Sequence, residues 1–515
     1  MLEDILARGL GEARDAAVLP RPGATVVSPR TRRVVRLIER VIALIDERLT
    51  AAVDAIVHHP QFQRLEASWR GLSYLVDQAG RDRTRVQLWV LSVRWSELAR
   101  DVERAMEFDQ TALFQKVYEE RFGTAGGEPF GVLLGDYEIR HRLHDDHGID
   151  DLALLMRISE TASAALAPFV AGVHPSFFGL REFAQLERHI DLDRLLRSAE
   201  YSAWHRLRKQ DDSRYLGLAL PRVLMRRPYH EGVAVSRRRR CARCRAAWSG
   251  TGSGVCAGCG QFVTARDPRT CTQERLAFCY REDVSGADRS RYLWGNAAYA
   301  FGGVLIRAFL ECAWFADIRG FVRDQERGGV VAGMPTDEYG LDSPGVAPKM
   351  GVDVVIDDVS EKEFTAQGMI PLCALHDTPY AAFYSNSSIY TPAQLTTVEG
   401  TLNERLSGML QYTLCVGRFG HHLKARVRDR TGSVAQASTI ENELRDWLFE
   451  YINPDDKAPP EIKARYPLRD AEVQVREIPG RPGQYQCVMR LIPHYQLDDL
   501  LVNVRIKTEL RSGAK

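Results

Sequence analysis

Four cysteines carry the most specific chemistry in the sequence. Cys241-Ala242-Arg243-Cys244 and Cys256-Ala257-Gly258-Cys259 are two CxxC turns separated by a short segment holding Gly250, Gly252 and Gly254. One CxxC turn brings two thiolates to a single ion. Two such turns complete a tetrahedral set, so the pattern predicts a structural zinc ribbon with no coordination position left for catalysis. Gly258 and Gly260 suit the tight turn around Cys259. Unligated or redox-active thiols are the competing reading, and four cysteines in so short a span weigh against it. Cys271 and Cys279 follow close behind and could exchange with one of the four. Cys312, Cys373, Cys415 and Cys487 stand apart in mostly apolar surroundings and read as core.

The ribbon is basic. Between Arg237 and Arg281 ten arginines face only Asp267 and Glu274, a net +8, whereas 69 Lys+Arg against 68 Asp+Glu give the whole chain +1 and leave −7 for the rest. Phosphate binding by the insert is one reading of that charge. With few aromatics such as Trp248 and Phe262 to stack on bases, a solvated or protein-facing knob is the better one, and nucleic acid is not an expected partner. His141, His144 and His147 with Asp145 and Asp146 read as a polar surface loop, because their spacing does not set three imidazoles on one helix face. Gly123 to Gly127 is glycine-rich but lacks the Lys-Ser/Thr of a phosphate loop. The sequence holds no HExxH, GxSxG or kinase signature, so a non-enzymatic protein is expected.

The elements around these motifs are those of a large α/β or α+β protein. At 515 residues, with 45% hydrophobic and 27% charged residues, the chain has the composition of a folded multi-domain protein. No secretory signal or spanning helix is legible, and a cytoplasmic location without membrane insertion is expected. Apolar residues recurring through Val34, Ile38, Val41, Ile45, Leu49, Val53 and Ile56 predict a core-packing helix over Thr31 to Val57. Phe62 to Leu75 predicts another helix, Val86 to Val93 a strand, Glu97 to Tyr118 a helix, Phe130 to Leu134 a strand and Leu152 to Leu166 a helix. Later come a strand-forming run from Tyr215, helices at Leu402 to Val427 and Glu441 to Ile452, and strands at Val473 to Val475, Tyr485 to Ile492 and Val502 to Ile506. The run 479–483 makes the turn between the first two of these strands. A last strand of this kind is easily lent to a neighbouring sheet edge.

Long ordered motifs resemble one family. His58-His59-Pro60-Gln61-Phe62 through Trp69-Arg70-Gly71-Leu72, then Gly126-Gly127-Glu128-Pro129-Phe130-Gly131 to Gly135-Asp136-Tyr137, are similar to the large subunit of the type VI secretion contractile sheath, the TssC/VipB/ImpC family. Phe177-Phe178-Gly179-Leu180, Tyr215 to Arg222, Tyr292-Leu293-Trp294-Gly295-Asn296 to Phe301, and Arg418-Phe419 continue the likeness in order from about Val34 to Leu510. The chain departs from the family between Tyr229 and Tyr292, where the ribbon is inserted.

The resemblance implies a structural polymer subunit: an N-terminal tail or docking segment (1–30), an α/β sheath body (31–236 with 282–400), the inserted four-cysteine ribbon (237–281) and a C-terminal sheath domain (401–515) with an exchanged strand. It implies pairing with a small sheath subunit (TssB/VipA-like), hexameric rings around an inner tube (Hcp-like), docking on baseplate components, contraction that drives the tube outward, and disassembly by an AAA+ ATPase (ClpV-like). The alternative is a zinc-ribbon module that binds nucleic acid or protein on a sheath-like scaffold.

Overall fold

The computed structural model describes residues 29–511 apart from 81–84, 123, 125, 145–146, 189, 230–238, 241–246, 249–253, 256–261, 264–279, 281, 285–288, 322–324, 338–348, 377, 430–436, 456, 478–483 and 495–503. The tail at 1–28, Asp145 and Asp146, and the turn at 479–483 therefore lie outside the described residues. The chain divides into two compact units, Met1–Leu65 with Arg227–Leu293 and Glu66–Arg226 with Trp294–Lys515.

The larger unit is built on a six-stranded sheet in the order β1-β2-β3-β6-β7-β5. Its strands are β1 (Leu133–Ile139), β2 (Phe169–Val173), β3 (Leu216–Leu220), β5 (Val330–Val331), β6 (Ile370–Ala374) and β7 (Ala381–Phe383); β4 (Val223–Arg226) belongs to another sheet. β1, β2, β3 and β6 are parallel neighbours, and β7 and β5 close the edge antiparallel. Every residue of β2 and β3 is buried, which explains their unbroken apolar runs: a parallel sheet is covered on both faces.

Helix starts in this unit follow local chemistry. Asp150 Oδ1 accepts from Ala153 N at 3.1 Å to begin α4 (Asp151–Ala165), and Asn296 Oδ1 accepts from Ala298 N at 2.9 Å to begin α6 (Ala297–Cys312). Asn296 also donates to the Tyr137 carbonyl of β1 at 2.9 Å, so one side chain caps the helix and ties it to the sheet. α2 (Pro60–Ala79) approaches α6 closely: a Cβ on Gly71 would lie 2.5 Å from the Tyr299 ring, and one on Gly303 would lie 2.3 Å from the Tyr74 hydroxyl. The core joins Trp95, Leu155, Ile158, Phe177, Phe183 and Trp204 to the strand residues Leu216, Leu218 and Leu220.

Four expected elements differ, and the first is the strand expected over Phe130 to Leu134, which runs instead over Leu133–Ile139. The helix expected over Glu97 to Tyr118 ends as α3 (Trp95–Arg104), because the Asp101 carboxylate turns back to accept from Ala112 N and Leu113 N at 3.1 and 3.3 Å, capping a new segment. The helix expected over Leu402 to Val427 is two, α8 (Val398–Ser407) and α9 (Leu410–Asp429). Ser388 N donates to the Gly408 carbonyl and Leu410 N to the Asn386 carbonyl, which removes two groups from the helical ladder. Val86 to Val93 forms neither helix nor strand and belongs to none of the described sheets.

A second core forms at the C-terminal end of the same unit. α10 (Ala437–Phe449) packs on an antiparallel sheet of β12 (Leu468–Glu477), β13 (Gln484–Pro493) and β14 (Val504–Arg511), with β13 central. Val473, Val475, Cys487, Met489 and Leu491 from this sheet meet Leu444, Trp447, Phe419 and Trp314.

In the smaller unit α1 (Pro29–Val57) is the long helix. The chain runs out at Tyr229 and comes back at Tyr280 on the two sides of the insertion, which the contacts of these residues and Glu282 bring together. Glu282 N donates to the Tyr229 carbonyl at 2.8 Å, Tyr229 N donates to Glu282 Oε2 at 2.9 Å, and the Tyr229 and Tyr280 rings meet edge-on at 5.9 Å. The Tyr280 hydroxyl donates to Asp54 on α1 at 2.9 Å. Within the insertion, Arg239–Arg240 pairs antiparallel with Ala247–Trp248 and Gly254–Val255 with Phe262–Val263.

Candidate assembly surfaces

Helical periodicity made α1 a core-packing helix, and here the structure corrects the expectation. Ile38, Ile45, Leu49 and Ile56 are 42% to 59% exposed. Their spacings of seven, four and seven residues bring them back to within about 20° of one line at ~100° per residue. One straight apolar stripe therefore runs along α1 uncovered. Along α2, Phe62, Leu65, Trp69 and Val76 repeat the arrangement at similar spacing, and Trp69 is 64% exposed. The sequence signal was present in both helices as a pattern near the seven-residue spacing of helices that pack on partner chains. A core helix of one domain gives the same periodicity, so the pattern alone does not separate a core face from a contact face.

The irregular segment before α3 presents a third apolar surface. Leu88, Trp89, Val90 and Leu91 are all exposed, on both sides of the chain. A half-buried strand would hide every second residue. Arg121 sits 4.1 Å over the Trp89 ring and 4.7 Å from Phe130, so the segment is held from below by a guanidinium rather than by a ladder. In the C-terminal sheet β14 pairs only with β13 among the described strands, through eight residue pairs from Gln484↔Arg511 to Leu491↔Val504. Its other edge is that of an outer strand.

Candidate chemical groups are otherwise engaged in structure. His141 is buried, stacked on Tyr201 at 4.4 Å, which corrects its reading as part of a surface loop. His144 and His147 exchange backbone hydrogen bonds at 3.1 and 2.9 Å, and His147 Nε2 meets Asp151 Oδ1 at 2.6 Å. Asp151 also accepts from the Trp95 indole at 2.6 Å and from Arg140 N at 2.8 Å, so it is a buried structural acceptor. Cys312, Cys373, Cys415 and Cys487 are buried thiols, as expected from their surroundings. Burial pushes Cys373 and Cys487 up to about 12, far from the thiolate a nucleophile requires. Cys241, Cys244, Cys256 and Cys259 lie outside the described residues, as do Cys271 and Cys279.

Uncovered apolar helix stripes and an outer sheet edge are surfaces suited to contact with other molecules. Two family models place the chain. The tail sheath N-terminal domain of the EvpB/VipB family matches residues 39–239 and 261–390, and the tail sheath gpW/gp25-like domain of that family matches 399–510. The chain is 34% identical over 482 residues to the type VI secretion system sheath protein TssC1 of Pseudomonas aeruginosa, covering 93% of this chain and 87% of that protein. It belongs to the TssC/VipB family and is a structural subunit of a type VI secretion sheath. Among the described residues no helix is long and apolar enough to cross a membrane.

Proposed function

We propose that this chain forms the wall of a cytoplasmic contractile sheath, pairing with a small TssB/VipA-like subunit, stacking as hexameric rings around an inner Hcp-like tube and contracting to expel it. Its role is mechanical, with no catalytic step. The observation that carries the partner assignment is the pair of uncovered apolar stripes on α1 and α2. Burying a half-exposed aliphatic side chain is worth on the order of 1 kcal/mol, so two stripes of this length supply a stable subunit contact. The outer edge of β14 supports a second link, in which a backbone ladder with a neighbouring subunit keeps protomers joined while their bodies rotate. Contraction is then relaxation from a metastable lattice. Docking on baseplate components and removal by a ClpV-like AAA+ ATPase complete the proposed cycle.

Co-expression with the small sheath subunit, followed by negative-stain microscopy, tests the reading. Tubules are expected; soluble single chains that never co-purify with the small subunit would overturn it.

A further inference from the structure

The two short hairpins of the insertion share one plan. Arg240 stands opposite Ala247 and Val255 opposite Phe262, so each inner pair closes a loop of six residues, 241–246 and 256–261. In each loop the sequence puts cysteine at the first and fourth positions: Cys241 and Cys244 in one, Cys256 and Cys259 in the other. The family match stops at 239 and resumes at 261, so the residues without a family counterpart, 240–260, contain all four. On either side of this segment, Tyr229 and Glu282 hold the outgoing and returning chain together.

We infer that the two hairpins are zinc knuckles and that Cys241, Cys244, Cys256 and Cys259 bind one structural Zn²⁺ as four thiolates. The link from Trp248 to Gly254 spans at most about 20 Å when fully extended, so the hairpins cannot move far apart. Soft thiolates in a four-sulfur set select zinc or iron over hard cations, and a closed tetrahedral site makes the ion a staple rather than a catalyst. A segment this short cannot bury a core of its own, which gives the staple its purpose. Four thiolates around a divalent ion carry a formal charge of −2. Arg239 and Arg240 flank the first loop, with Arg243 and Arg245 inside it, and these cations offset that charge and favour thiolate over thiol. The basic knob thus becomes the counter-charge of the metal site and needs no nucleic acid to explain it.

The proposal is independent of the sheath reading. Elemental analysis of the full chain, purified without chelator or polyhistidine tag, should give one zinc per chain. Both Cys241→Ser with Cys244→Ser and Cys256→Ser with Cys259→Ser should lose it, and Cys271→Ser with Cys279→Ser should keep it. Cobalt substitution should give the intense charge-transfer bands of a four-thiolate site. Because a double variant could misfold, native thiol titration of the unmodified chain provides the second arm: strong chelator should release four additional reactive thiols. Absence of zinc or iron, retention of metal in either CxxC double variant, or no thiols released by chelator would overturn the site. Bound iron in place of zinc would overturn the metal assignment.

Discussion

Trp314 stacks on Phe419 with ring centroids 4.5 Å apart and planes 27° from parallel. Trp314 belongs to the stretch matched by the N-terminal sheath domain and Phe419 to that matched by the C-terminal one, so the two family domains share a core in this chain. Arg418 lies 5.1 Å over the Trp314 ring and Tyr451 meets it edge-on at 5.2 Å, so the indole is enclosed by C-terminal residues. Trp314→Ala should therefore cost about 3–5 kcal/mol. Urea unfolding followed by far-UV circular dichroism reads that cost. The C-terminal sheet should melt first in the variant; an unchanged single transition would contradict a shared core.

Gly71→Ala tests the crossing of α2 and α6. The added methyl would stand 2.5 Å from the Tyr299 ring, whose hydroxyl is hydrogen-bonded to Asp136 and Ser68. Overpacking of this kind costs roughly 1–3 kcal/mol. Thermal denaturation should show the loss, and Tyr299→Leu in the same chain should recover part of it. No change in melting temperature would mean that the helices can spread without penalty.

Much of the architecture was legible because it rests on local chemistry. The alternation around Val473, the apolar run at Leu216 to Leu220 and the start of α4 are fixed by neighbours within a few residues, and these elements lie close to where the sequence pattern puts them. What was not legible depends on distant groups. The Asn386 and Gly408 backbone contacts that split α8 from α9 join segments far apart in sequence, and no local pattern announces them. The α1 stripe differs for another reason: periodicity says only that a face is apolar, not whether the same chain covers it. Val86 to Val93 is the strand version of that ambiguity.

The stripe gives a sharp dissociation of effects. Trp69→Asp and Ile45→Asp each place a charge at a position exposed in the single chain, so folding stability should change by only about 0.5 kcal/mol. In a subunit contact the same carboxylate would be buried unpaired, at a cost of several kcal/mol. Circular dichroism melts should match the unmodified chain while pull-down of the small sheath subunit drops at least tenfold. Retained pull-down with both variants would remove the stripes from the assembly surface.

Acid should unfold the larger unit through three histidines. Burial lowers His141 and His421 from an ordinary value near 6.5 to about 4; for His141 the neighbouring Arg142 acts in the same direction, and for His421 Lys424 does so against a hydrogen bond to the Ala165 carbonyl. His422 shifts the same way, chiefly by burial. In the unfolded chain each of these imidazoles takes up a proton near pH 6.5, whereas the folded chain resists until about pH 4. The unfolded state thus binds more protons throughout that window, and stability is retained above it and lost as pH falls through it. Each differential proton changes stability by about 1.4 kcal/mol per pH unit, so His141, His421 and His422 together give a slope approaching ~4 kcal/mol per unit near pH 5. Urea midpoints measured from pH 7.5 to 4.5 should fall steeply below pH 6.5. Replacing His421 by Gln, which still has an N–H to offer the Ala165 carbonyl, should flatten the slope by about one proton while lowering stability at pH 7.5 only modestly. If the slope is the same in the variant, His421 is not the group that holds its proton off.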